Sequence, residues 1–90
     1  MLEMVKLALR LKSPAFDTEL DALIETAVAE LRAAGISAAA MSLDPRMQQA
    51  VILYCKANFG ESDKAERFQR AFERLRIAMA LDHGEPEVPE

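Results

Sequence analysis

Cysteine is almost missing from this chain: Cys55 stands alone, so there is no disulfide framework and no cysteine-based metal cluster. Histidine is equally sparse, with His83 the single example. Neither HExxH nor GxSxG occurs, and the three glycines form no phosphate-cradling loop. Catalysis by an activated nucleophile, a metal-bound water or a nucleotide cofactor has no residues to work with, and the chain reads as a non-enzyme without cofactor or metal. There is no tryptophan, and aromatic residues make up only 6% of the chain. With four prolines and no alternating run of β-branched or aromatic residues, strands have little support, and an all-α fold is expected. No apolar stretch nears the ~20 residues of a membrane span. Leu2–Leu11 is broken by Glu3, Lys6 and Arg10 and lacks the pattern of a signal peptide. A soluble protein of a reducing cytoplasm is the expectation.

Positive charge in excess is also lacking. The net charge is −4, and from Asp82 to Glu90 there are four carboxylates and no Lys or Arg. Phosphate binding needs clustered cations, so this balance counts against a freestanding nucleic-acid binder. What the chain has in quantity is apolar surface: 51% of its 90 residues. A chain of this length buries only about 60–65% of its unfolded surface. Apolar surface left over after folding favours self-association.

The centre of the chain is Asp44–Gly60. Asp44 is placed to cap a helix, Pro45 suits a first helical position, and Gly60 suits the left-handed residue that closes one. Between them runs Ala50-Val51-Ile52-Leu53-Tyr54-Cys55, apolar without a break. A helix apolar around most of its circumference must be surrounded. The expected architecture is therefore a small four-helix, orthogonal or bundle-like domain built around residues 45–59.

Around that centre the spacing predicts helices over Leu2–Leu11, ended by Ser13-Pro14, over Asp17–Ala34, and over Ser62–Asp82. In the second, Leu20, Leu23, Ile24, Ala27, Val28 and Leu31 recur on one face, with Asp17 or Thr18 as N-cap and Gly35 as stop. Asp17, Asp21 and Glu25, four apart, form an acidic stripe beside that face. Ile36–Leu43 has no firm period and reads as a connector. In the last helix, capped by Ser62 and stopped by Gly84, Phe68, Ala71, Phe72, Leu75, Ala78 and Met79 face inward. Arg67, Arg70 and Arg74 fall along one flank, with Glu66 and Glu73 just beyond. The expected core is Leu20, Leu23, Ile24, Leu31, Val51, Tyr54, Cys55, Phe68, Phe72 and Leu75. Cys55 reads as a buried apolar residue, and His83 as a solvated residue at a helix end. Residues 1–84 form one helical domain. Glu85–Glu90 (EPEVPE) alternates proline and glutamate and is expected to be disordered.

The arginine flank is open to solvent, to carboxylates on a neighbour or to phosphate. A helical DNA-binding regulator or another bacterial interaction module stays in view on the residues alone. An acyl-carrier-like module would use Ser62, but Asp63-Lys64 after it are the wrong surroundings.

Two segments taken together resemble a known family. Leu9-Arg10-Leu11-Lys12, then Phe16-Asp17-Thr18-Glu19-Leu20-Asp21-Ala22-Leu23-Ile24 and Gly35-Ile36, are similar to the opening of tailed-phage and prophage head–tail connector proteins. Asp44-Pro45, Gln49–Gly60 and the helix that follows resemble its second half, the Ala57-Asn58-Phe59-Gly60 turn most specifically. The resemblance implies a small helical adaptor that completes the head. About twelve copies would form a ring beneath the portal and join the DNA-filled head to the stopper or tail. DNA would pass through without being read. The implied partners are copies of itself, the portal, the stopper and the passing DNA, with no membrane. The implied location is the virion head–tail junction, after assembly in the host cytoplasm. Asp17, Asp21 and Glu25 of one subunit against Arg67, Arg70 and Arg74 of the next are the candidate subunit contacts.

Overall fold

The computed structural model describes residues 1–60 and 63–83, and among these every regular element is helical. Five α-helices occur there: α1 (Leu2–Leu9), α2 (Asp17–Ala33), α3 (Ala38–Leu43), α4 (Arg46–Asn58) and α5 (Ala65–His83). A 3-10 turn, Pro14–Phe16, precedes α2.

α1 ends two residues earlier than its apolar spacing predicts. Arg10 turns left-handed, with φ 60°, and the Leu11 N–H closes back onto the Lys6 carbonyl at 2.9 Å. The helix is thus stopped by its own C-terminal turn, before Ser13-Pro14. Ser13 acts on the next element instead, where its Oγ accepts from the Ala15 N–H at 3.1 Å and caps the 3-10 turn.

α2 continues directly from that turn. Neither Asp17 nor Thr18 caps it: Phe16 holds the cap position and no side chain accepts a cap hydrogen bond. The Asp17 carboxylate instead meets the Lys6 ammonium at 2.8 Å. Gly35, at φ +98°, ends α2 in a conformation that costs a residue with a Cβ.

The expected connector contains a helix, which makes five helices rather than four. Ser37 Oγ accepts from the Ala40 N–H at 3.1 Å and starts α3. Three alanines then extend it, since Ala loses no side-chain freedom on entering a helix. Its one buried residue, Met41, pins it to the body.

α4 fills the central position. Pro45 holds the cap position rather than the first helical one, and Asp44 just before it supplies the hydrogen bond its sequence predicts, Oδ1 accepting from the Arg46 N–H at 2.8 Å. Gly60 is left-handed at φ +69°. α4 packs against α2 on one side and α5 on another, while α2 and α5 touch each other little. Ala50, Val51 and Cys55 are buried, and Ile52, Leu53 and Tyr54 are half-buried.

α5 begins at Ala65, after a turn at Asp63 and Lys64. The Ser62 cap, the Gly84 stop and the tail 85–90 lie outside the described residues.

The core has two parts joined through α4. Val5, Leu20, Ile24, Ala27, Val51 and Cys55 unite α1, α2 and the inner side of α4. Leu31, Ile36, Met41, Ala50, Phe72 and Met79 unite the end of α2, α3, α4 and α5. Val28, Met47 and Tyr54 touch both. Tyr54 meets Phe72 edge-on, ring centres 5.1 Å apart, and Leu23 and Leu75 pack at the margins. Phe68 departs from expectation. It is half-buried, joins neither cluster, and carries the Lys56 ammonium 5.6 Å above its ring.

Candidate interaction surface

Among the described residues no group of three or more His, Cys, Asp or Glu side chains could hold a metal ion. Cys55 is fully buried, and burial pushes its thiol up to about 11, so it stays protonated and unreactive at neutral pH. The chemistry of this molecule lies in its ion pairs and in the surface they leave uncovered.

The densest polar cluster surrounds Asp44. Besides the Arg46 N–H, its carboxylate receives the Arg46 guanidinium, Nη2 to Oδ2 at 2.7 Å and Nε to Oδ1 at 3.1 Å. His83 Nε2 stands 2.7 Å from the same Oδ2. The other reach of Arg46 Nη2 is to Asp82 Oδ2, also 2.7 Å. The Arg46 hydrogen bonds, side chain first and backbone second, hold the Asp44 carboxyl well below the usual carboxylate range; His83 adds to the effect. Asp44 and Asp82 in turn push the Arg46 guanidinium up. This clasp ties the last turn of α5 to the start of α4. It corrects the solvated reading of His83, whose side chain is 28% exposed and in contact with Asp44. The cause is a contact 39 residues distant in the chain, which no local pattern carries.

The six charged residues singled out from the sequence divide. Asp17 is already engaged by Lys6, which is itself buried. Arg70 is engaged by Glu66 one turn earlier on its own helix, at 2.7 Å. Asp21, Glu25, Arg67 and Arg74 are exposed and form no ion pair among the described residues. The structure does not bring the acidic and basic groups together within one subunit. Arg76 instead joins α5 to α2, reaching Glu30 at 3.1 Å and Glu73 at 2.6 Å.

The apolar surplus is exposed at particular places. Leu7 on α1 is 81% exposed, Leu43 at the end of α3 82%, and Leu81 and Ile77 on α5 81% and 56%. On α1 only Leu7 is left fully to solvent in this way; Leu2, Met4, Ala8 and Leu9 are partly covered. Ile77 and Leu81 had a sequence signal. With Arg67, Arg70 and Arg74 they step by three and four residues along one line of α5. Ala33 and Ala34 from the end of α2, with Arg76, Ile77, Ala80 and Leu81, line an open, mainly apolar groove of about 430 Å³.

No helix among the described residues is long and apolar enough to cross a membrane. Among the described residues the body is all-α, and its unpaired charges and spare apolar side chains lie on outward helix faces. The family is specific: the family model described as phage connector protein matches residues 1–86, and this chain belongs to that family. No curated protein matches the chain, and neither does any solved structure.

Proposed function

We propose that this protein is a head–tail connector of the adaptor kind. Its copies form a ring beneath the portal of a phage or prophage head, extend the DNA channel, and present a platform for the stopper or tail. The observation that carries this reading is the family match over residues 1–86, nearly the whole chain. The surface supports it. A ring of identical subunits needs two different patches per subunit that fit each other. Asp17, Asp21 and Glu25 on α2 and Arg67, Arg70 and Arg74 on α5 are the candidates, and four of the six have no ion-pair partner within the described subunit. DNA passes through without sequence readout, and the virion head–tail junction is where the protein works, after assembly in the bacterial cytoplasm.

Co-elution tests this role. The chain is mixed with a portal protein of the same phage or prophage and separated by size. Elution of both in one large species supports the connector role. If the portal elutes unchanged, with all of the small chain separate over a wide range of concentration and salt, the role is wrong.

A further inference from the structure

We propose that each copy inserts Leu7 of α1 into the groove between α2 and α5 of the next copy. Leu7 then lies against Ala33, Ile77 and Leu81, and Arg10 reaches the Glu30 and Glu73 carboxylates at the rim. This rests on the ring reading above and gives the ring its apolar contact.

Leu7 has little to cover it in its own subunit. It stands two residues from fully buried Val5, on the side of α1 turned away from the core, and is 81% exposed. The other exposed large apolar residues are placed differently. Ile77 and Leu81 wall the groove itself, and Phe16 is met edge-on by Phe59, ring centres 5.3 Å apart. Met1 and Leu43 share a second hollow with Met41 and Met47. Leu43 also adjoins Asp44, which His83 holds at 2.7 Å, so it sits at the groove's own end of the molecule. Leu7 is the knob that lies elsewhere.

Knob and groove are on opposite flanks. Lys6, next to Leu7, binds Asp17 of α2, whereas Arg76 of α5 binds Glu30 of α2. The spacing from Asp17 to Glu30 places them about 140° apart around the helix. α1 therefore packs on one flank of α2 and the groove opens on the other, while α4 packs against all three helices. The two sites are also apart lengthwise. Asp17 is the first residue of α2 and Ala33 the last, separated by about 24 Å of helix. Contact between identical copies in a ring needs two different surfaces of this kind, one given and one taken by each copy.

Charge selects a second copy as the occupant. Arg10, one turn beyond Leu7, and Lys12 are exposed and form no ion pair among the described residues, and they outnumber Glu3 on the same stretch. At the groove the single Arg76 guanidinium is shared by two carboxylates, Glu30 at 3.1 Å and Glu73 at 2.6 Å. The rim thus has negative charge to spare, and the knob has positive charge to meet it. The longer stripes divide the same way. Asp21 lies about half a turn around α2 from Glu30, on the α1 flank, while Arg70 and Arg74 share the exposed side of α5 with Ile77 and Leu81. The acidic stripe accompanies the knob, and the basic stripe accompanies the groove.

Disulfide trapping between two different chains tests the docking. A Leu7→Cys chain and an Ala33→Cys chain are mixed at high concentration and oxidised, with and without a portal protein of the same phage or prophage. Linked pairs are then identified by mass without reductant. Both altered residues are exposed, and buried Cys55 gives the unaltered chain no linked species. Dimers joining position 7 to position 33, well beyond the share that random collision gives, are expected. Self-pairs at their random share or above it, or no link at all, overturn the docking. So does a Leu43→Cys chain that links to position 33 in preference to position 7. Arg10→Glu, added to the Leu7→Cys chain, is expected to lower the yield of the 7–33 link several-fold, and an unchanged yield overturns the charge match. Portal-bound assemblies without a 7–33 link overturn the docking and leave the connector role standing. A 7–33 link in a chain that never binds the portal supports the docking and overturns the connector role.

Discussion

Asp44 serves two elements with one carboxylate: it caps α4 and anchors the end of α5. Because its partners hold it below the ordinary value of 3.8, it adds stability above that value, and the stability is lost as the pH falls through the acid range. Asp44→Asn is therefore expected to melt at a lower temperature than the parent at pH 7. The difference should shrink steadily as melting is followed downward from about pH 5, because the parent's carboxylate is then being neutralised too. A difference that stays constant with pH would mean that the charge is not what the clasp uses. The two phenylalanines of α5 give a second contrast. Phe72 is fully buried against Tyr54, and Phe72→Ala should cost about 3–5 kcal/mol in denaturant unfolding. Phe68 is half-buried outside both clusters, so Phe68→Ala should cost clearly less, about 1–2 kcal/mol. Equal costs would return Phe68 to the core.

The elements are largely legible in the chain, because their signals are local. The α2 face, the Asp44-Pro45 start, and Gly35 and Gly60 at the ends of helices all follow from side-chain chemistry within a few residues. Where local pattern misleads, the deciding contact is distant or atypical. Arg10 closes α1 from a left-handed conformation that glycine usually fills, and nothing in Leu9-Arg10-Leu11 announces it. α3 is six residues long, shorter than a hydrophobic period needs to show itself, though Ser37 before three alanines is a usable cue. His83 takes its role from Asp44, far back in the sequence. Of the candidate site, the charged stripes are visible in the chain. Their apolar continuation through Ile77 and Leu81 is masked, because the inward pattern of α5 dominates the spacing of its apolar residues. At this scale Gly35 is the sharpest test. Open space surrounds the position a Cβ would take, yet φ is +98°. Gly35→Ala should lower stability by about 1–2 kcal/mol through backbone strain alone, measured by chemical denaturation. An unchanged midpoint would show that the turn relaxes freely.

At the scale of the whole molecule, the proposed association would draw unequally on charges and apolar groups. Exposed ion pairs are worth about 0–1 kcal/mol each. Burying a leucine-sized side chain is worth roughly 1.5–3 kcal/mol. Ile77 and Leu81 should thus supply most of the affinity, and the charged stripes should set the direction and the partner. Leu81→Asp is expected to abolish assembly while leaving the helical circular dichroism and melting of the subunit nearly unchanged. Arg74→Glu and Glu25→Arg should each weaken assembly, and together restore it. If single reversals leave assembly intact, the charged stripes play no part. The claim beneath all of these is that copies of this chain close into a ring on the portal. Electron microscopy of the 10.0 kDa chain mixed with a portal protein of the same phage or prophage measures it directly. A closed collar of added density, sharing the portal axis, is the predicted result. Portals that stay bare at saturating concentrations of the chain, or that carry isolated copies with no contact between them, would contradict it.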